Sequence, residues 1–266
     1  MTGPVRSAGR ARTTVALVGN APLDADQGRA IDACDRVVRF NDARGFGEVA
    51  GSRVDELFLV NRGGAPAEWL EDPALGTRPA IRAARRILLP LHPGSAFLGT
   101  RRDAAGAVHR DDVDHTRALR ARLAGPAREV VALDARHHER CCRALGLVPA
   151  PATGTDSAGD GAAPPPDAAV HRPSTGFVAL LWYLTTLPPE ARIRLHGFTF
   201  EGWSGHPWAR ERERVAAEVR AGRVELVAPD AAAVRPATPR EGFAGGTAVD
   251  GKAGRRAAAV RAADPA

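Results

Sequence analysis

The chain has 266 residues, 44% of them hydrophobic and 26% charged, which is typical of a soluble globular protein and sufficient for one large α/β domain or two small domains. The net charge of +6 suits an anionic ligand or a solvated basic surface, but the aromatic content of 5% disfavours an extensive nucleic-acid stacking surface. No run of about eighteen apolar residues and no apolar leader occurs, and the three cysteines lack metal-ligand spacing, so we expect a cytoplasmic protein without a membrane span.

Apolar runs alternate with helical patterns along the chain, which predicts an α/β fold with a parallel sheet. We place strands at 13–18, 36–40, 54–60, 86–91, 129–133, 193–195 and 224–227. We place helices at 27–34, 65–70, 111–123, 136–145, 177–187 and 206–221. These elements predict a single Rossmann-like domain over 13–228, with a disordered arm at 1–12, a mobile low-complexity loop at 150–170 and a disordered tail at 229–266.

Asparagine follows each of the first three predicted strands, as Asn20, Asn41 and Asn61. In open α/β sheets, ligands bind in the crevice at the carboxyl ends of the strands, so we expect these side chains to face one ligand. A carboxamide offers two donors and an acceptor without charge, and it can therefore bind a base, a ribose or a phosphate.

Small residues precede the predicted helix at 177–187, in the order Pro173, Ser174, Thr175 and Gly176. A helix N-terminus with small hydroxyl residues can bind an anion, although Ser174 could also be an ordinary N-cap. The sequence lacks both GxGxxG and a P-loop, which disfavours a dinucleotide or an NTP with Mg²⁺. The pair Asp24 and Asp26 could hold a metal on a sugar nucleotide, or could cap the helix that follows.

His206 stands where a glycine-rich loop meets a charged helix, with Glu211 five residues further on. The positive end of a helix dipole favours neutral imidazole, as a general base requires, whereas the alternative is an exposed histidine at a helix start. We expect His196, at a strand end, to be packed, and His137 and His138 to lie on a solvated helix face.

Three segments of the chain, in order, resemble the motifs of the sialyltransferase family, glycosyltransferase family 29. The first comprises VALVGNAP at 15–22, GRAIDACDRVVRFN at 28–41, and GF and GSRVD at 45–46 and 51–55. The second is PSTG at 173–176 with GF at 197–198, and the third is His206 with Glu211. The cysteines that join two of these motifs in animal members are missing, as is a motif before the histidine, which is typical of a short bacterial-type member.

The resemblance implies a Rossmann-like glycosyltransferase fold, a variant of the GT-A class, that acts without a metal or other cofactor. It implies inverting transfer of sialic acid or a related acidic sugar from a CMP-activated donor to the hydroxyl of a glycan or other acceptor. His206 would remove the acceptor proton. The residues that would bind the donor nucleotide and its phosphate are Gly19, Asn20, Asn41, Ser174, Thr175, Gly176 and Gly197.

Two other interpretations stay open. One is a nucleotide-binding module of the same fold that lacks transfer activity. The other is a basic nucleic-acid-associated protein that uses arginine-rich tails, although nucleic acid is not the partner we expect.

Overall fold

A computed structural model describes residues 12–23, 25–102, 105–149 and 171–227. The predicted loop at 150–170, the tail at 229–266 and the arm up to residue 11 lie outside the described residues, as does Asp24. The structure confirms the predicted Rossmann-like α/β fold: all seven strands form one parallel sheet in the order β5-β4-β3-β2-β1-β6-β7. The strands are β1 Thr14–Val18, β2 Arg36–Phe40, β3 Glu56–Phe58, β4 Arg86–Leu89, β5 Glu129–Ala132, β6 Arg192–His196 and β7 Val224–Leu226.

Helices connect the successive strands, except that a loop without a helix joins β2 to β3, and they cover the sheet. They are α1 Gly28–Asp32, α2 Gly64–Glu71, α3 Pro79–Ala83, α4 Thr116–Leu123, α5 Ala135–Ala144, α6 Thr175–Thr186 and α7 Trp208–Arg220. Two 3₁₀ turns lie at Leu75–Thr77 and Arg110–Asp112. Within the described ranges, no helix is long and apolar enough to cross a membrane.

Helices bury both faces of the sheet. Successive side chains of each strand point to opposite sides, so one strand contributes to the core on each face. Val15 and Leu17 of β1 pack in a core with residues of α5, α6 and α7. Ala16 and Val18 pack on the other side with α1, while β3 and β4 continue that side in a core with α2, α3 and α4. Helix α6 is the most deeply buried of these elements, and its position fixes the place of the residues that precede it.

Several element bounds differ from the prediction. The third strand pairs only over Glu56–Phe58 instead of 54–60. The helix predicted at 111–123 begins only at Thr116, because Val113 is extended and separates it from a 3₁₀ turn. Helix α3 was not predicted, since five residues are too short to show a helical period. Helix α7 begins at Trp208, after the N-cap Pro207, instead of at residue 206.

The sheet has its topological switch point at β1, whose neighbours are β2 and β6. The chain that leaves β1 crosses the end of β6: the Gly19 amide donates to the His196 carbonyl at 2.7 Å, and the Ala21 amide donates to the Gly197 carbonyl at 3.3 Å. A Cβ atom on Gly19 would overlap the Gly197 carbonyl oxygen. Glycine is therefore required here to let the two strand ends meet.

Candidate functional site at the carboxyl ends of the strands

A cavity of about 730 Å³, here called the first cavity, lies at the carboxyl ends of β1, β2 and β6. Parallel sheets bind ligands at this edge, beside the switch point. All eight residues predicted for the site line this cavity, although they come from five separate parts of the chain. They are Gly19, Asn20, Asn41, Ser174, Thr175, Gly176, Gly197 and His206.

Asn20 ties the ends of β1 and β2 together. Its Nδ2 donates to the Phe40 carbonyl at 3.1 Å, and its Oδ1 accepts from the Arg44 amide at 3.0 Å. Asn41 has φ +50°, a left-handed conformation that asparagine tolerates better than most residues. Its Oδ1 accepts from the Val60 amide at 2.9 Å, and in the described part of the chain its Nδ2 has no acceptor. Asn41 therefore keeps two donors for a ligand, while Asn20 is largely committed to the protein.

Asn61 does not join this site, contrary to the prediction. The side chain is fully buried. Its Nδ2 donates to the Leu91 carbonyl and the Thr116 hydroxyl, both at 2.6 Å, and its Oδ1 accepts from the Leu91 amide at 3.0 Å. These bonds use the carboxamide to join β3, β4 and α4 beneath the sheet edge, so nothing remains to bind a ligand.

The N-terminus of α6 already holds a carboxylate of the protein. Ser174 caps the helix as predicted, because its Oγ accepts from the Phe177 amide at 3.1 Å. The Ser174 amide and hydroxyl both donate to Glu211 at 2.7 Å. Burial raises the pKa of Glu211, and the bonds from Ser174 oppose that shift. Glu211 therefore fastens α7 to α6, and the donors left in the first turn are the Thr175 amide and hydroxyl and the Gly176 amide.

Glycine is required at 176 by packing against Phe198, and at 197 by the backbone conformation and the nearby Ala21 carbonyl. A Cβ atom on Gly176 would lie 2.8 Å from the Phe198 ring. Gly197 has φ +65°, where other residues are strained, and a Cβ there would lie 3.0 Å from the Ala21 carbonyl oxygen. Both glycines shape the cavity wall.

His206 has the geometry of a general base. Its Nδ1 lies 2.7 Å from the Arg172 carbonyl oxygen, which can only accept, so Nδ1 carries the proton and Nε2 keeps a lone pair. The rings of Trp203 and Trp208 pack edge-on against the imidazole, each at 4.8 Å between centroids. Burial lowers the pKa of His206, against the opposing effect of the Arg172 carbonyl, so the ring is neutral near pH 7.

The remaining histidines of interest are structural. His196 is packed as expected: it is fully buried, its Nδ1 lies 2.7 Å from the Gln27 Oε1 atom, and burial lowers its pKa to about 4. The prediction of a solvated face for His137 and His138 was wrong, because both are buried under α6 and the segment around Ser95. Each ring bonds a buried group, although Nδ1 of His137 has no partner among the described residues, so this polar helix face lies in the core.

Asp26 bonds the chain at the start of α1, because its Oδ1 accepts from the Gly28 amide at 2.9 Å. The N-cap residue of this helix is Gln27, which makes no side-chain cap. Across the ranges that the structure describes, no group of three or more histidine, cysteine or acidic side chains could hold a metal ion.

A second cavity of about 410 Å³ adjoins the first, with which it shares Asn41, Thr175 and His206. Its walls contain Arg62, Arg110 and Arg172, which the sequence analysis did not assign to the site. Arg172 directly precedes the PSTG segment, and this adjacency is the only sequence signal that could have identified it. His206 lies on the boundary and faces both cavities.

The chain was compared with protein families, solved structures and curated proteins. No protein-family model matches it. Two solved structures of a mammalian sialyltransferase resemble it, one of them in complex with Gal-beta-1-3GalNAc-ortho-nitrophenol, at 14% and 16% identity and TM-scores of 0.45 and 0.42. In each case, the match covers 81% of this chain and 69% of the other. A similarity at this level says nothing about activity.

The urease operon 23 kDa accessory protein of Rhizobium meliloti (strain 1021) is 30% identical over 226 residues. That match covers 84% of this chain and 96% of the relative. The chain therefore belongs to the family of this urease operon accessory protein.

Proposed function

We propose that this protein is an inverting, metal-independent glycosyltransferase that resembles the sialyltransferases. It takes sialic acid or a related acidic sugar from a CMP-activated donor and transfers it to an acceptor hydroxyl. The observation that carries the proposal is the first cavity, where the residues of all three sequence motifs meet around a neutral, oriented His206.

The donor fits the polar groups that the protein leaves uncommitted. A CMP-sugar carries one phosphate, and the Thr175 and Gly176 amides at the start of α6 suit a single anion without a metal. The side-chain carboxamide of Asn41 supplies donors for the nucleoside, next to the glycine-lined end of β1. Glu211 occupies the Ser174 donors, so in this proposal Ser174 shapes the phosphate site and the next two residues bind the phosphate.

The transfer step follows from the state of His206. Its Nε2 accepts the proton of the acceptor hydroxyl while the acceptor oxygen bonds the anomeric carbon. The bond from that carbon to the phosphate oxygen breaks, and its electron pair leaves with CMP. Attack opposite the leaving group inverts the anomeric centre, and the Arg172 carbonyl stabilises the imidazolium that forms. General base assistance of this kind contributes about 10²–10⁴-fold.

Thermal stabilisation by ligands tests the nucleotide assignment. Binding to the folded state adds RT ln(1 + [L]/Kd), so CMP at 100 times its Kd will add about 2.7 kcal/mol. We expect a clear shift with CMP and none with NAD or duplex DNA, measured by differential scanning calorimetry. A shift with NAD or duplex DNA and none with CMP would overturn the proposal.

A second candidate is a non-catalytic accessory role within the same fold. The relative from Rhizobium meliloti favours this role, because it is a urease operon accessory protein. The contact between Glu211 and Ser174 also favours it, because a carboxylate of the protein fills part of the anion site. This candidate predicts CMP binding without turnover. The free, buried state of all three cysteines suits the cytoplasmic location that we propose under either function.

A further inference from the structure

The two cavities differ in charge. The first is lined by Asp42, Glu201 and Glu211 against Arg44 as its one arginine or lysine. The second is lined by Arg62, Arg110 and Arg172 against Asp111. A carboxylate therefore finds arginine side chains in the second cavity, whereas the first cavity offers the phosphate of CMP the donors at the start of α6.

Two of these arginines are buried around one carboxylate. The side chains of Arg62 and Arg172 are only 4% and 8% exposed. Arg172 donates to Asp112 Oδ1, and Arg62 Nη2 lies 3.7 Å from the same oxygen. The other carboxylate oxygen of Asp112 accepts from the amide and Nε of Arg101, both at 2.9 Å. Asp112 does not line the cavity, so it holds the two guanidinium groups from behind.

Neutralisation of the buried pair is incomplete. Asp111 and Asp114 are solvent-accessible, so solvent screens their charges. The Nε atoms of Arg62 and Arg172 are buried and have no hydrogen-bond partner among the described residues. Burial lowers the pKa of Arg62, and the charge of Arg172 lowers it further. Arg62 also donates to the Gly99 carbonyl and Arg172 to the Asp111 carbonyl, but these two buried cations share one buried anion, so a further anion would be favourable here.

His206 links this cluster to the reaction. The Arg172 carbonyl bonds the imidazole, and His206 itself lines the second cavity. A group bound to the two guanidinium groups therefore belongs to a molecule that also reaches the reacting nitrogen. Arginine binds carboxylates through paired N–H donors, which sets orientation as well as charge.

We propose that the second cavity is a subsite for a carboxylate of the molecule that reacts at His206, with Arg62 and Arg172 as its binding residues. The location at His206 rests on the proposed function. The carboxylate belongs either to the donor sugar or to an acidic acceptor, and the two sources make different predictions.

Calorimetric titration with matched acidic and neutral probes tests the subsite. CMP-sialic acid against its carboxyl methyl ester reports on the donor, and sialyllactose against its carboxyl methyl ester reports on the acceptor. Free sialic acid against its methyl ester reports on the carboxylate alone, without any nucleotide. We expect the wild-type protein to prefer the acidic member of at least one pair by about tenfold, which is the strength of a hydrogen-bonded charge.

The variant Arg62→Gln will abolish that preference and leave CMP affinity unchanged. Arg101→Gln is the matched control, because Arg101 bonds the same Asp112 but its side chain is 48% exposed and lines neither cavity. Arg110→Gln gives a second test at a cavity residue that is 66% exposed, should Arg62→Gln not fold. We expect a loss of about twofold to threefold from it, since an exposed charge contributes less.

The proposal is overturned if each acidic probe binds no better than its neutral partner, or if Arg62→Gln and Arg101→Gln weaken the acidic probes equally. Failure of the glycosyltransferase proposal gives a different result. In that case CMP does not bind, while free sialic acid still binds more tightly than its methyl ester and loses this advantage in Arg62→Gln.

Discussion

The variant His206→Ala will lower the turnover number at least about a hundredfold and leave the affinity for CMP nearly unchanged. In the proposed mechanism, the Nε2 atom of His206 accepts the acceptor proton, while Nδ1 is committed to the Arg172 carbonyl. His196 cannot take over, because it is buried, bonded to Gln27 and outside both cavities. Steady-state kinetics with CMP-sialic acid and calorimetry with CMP measure the two effects separately.

The pH profile gives an independent signature of the same residue. His206 acts only when neutral, so the rate falls as the pH drops through its pKa. Burial places that pKa below the ordinary 6.5, so the acid limb of the wild-type profile will lie below pH 6.5. His92→Ala is the control, because it removes an imidazole that lines neither cavity, and it will retain full activity.

More than a tenth of wild-type turnover in His206→Ala would assign the base elsewhere.

The variant Gly19→Ala will destabilise the fold by about 1–3 kcal/mol or more and will weaken CMP binding. Its added methyl group overlaps the Gly197 carbonyl oxygen, which is backbone and cannot move aside by a rotamer change. Relief requires β1 and β6 to separate at their carboxyl ends, where the first cavity lies. Urea denaturation measures the stability, and calorimetry measures the affinity.

Gly76→Ala is the matched control for this substitution. Nothing lies within 4 Å of a Cβ atom at Gly76. The free energy of unfolding will therefore stay within about 0.5 kcal/mol of wild type. Equal stability of Gly19→Ala and Gly76→Ala would mean that the ends of β1 and β6 do not meet as described.

Sequence patterns predicted the sheet well, because each strand contains apolar residues that the sheet buries against the helices. The prediction missed the helix Pro79–Ala83, because it spans little more than one helical turn and shows no period. The predicted exposure of His137 and His138 was wrong for a different reason. Polar side chains normally indicate solvent, but here each ring is buried and bonds a partner more than forty positions away, Val178 for His137 and Ser95 for His138.

The residues that line the first cavity were predictable where they adjoin strand ends or a helix start, as with Gly19, Asn41 and Thr175. The contacts that set its electrostatics were not. Glu211 reaches Ser174 across 37 positions, and Arg172 reaches Asp112 across 60. Pairings at such separations leave no periodic trace in the sequence, so the internal carboxylate at α6 and the buried arginine pair emerge only from the folded chain.

Release of CMP from CMP-sialic acid tests the central claim most directly. The reaction is followed with the wild-type protein, with and without a hydroxyl acceptor such as lactose or sialyllactose. The proposal predicts that CMP is released and that an acceptor speeds its release, because His206 activates the attacking hydroxyl. Tight binding of CMP with no release under any of these conditions would contradict the proposal and favour the non-catalytic role.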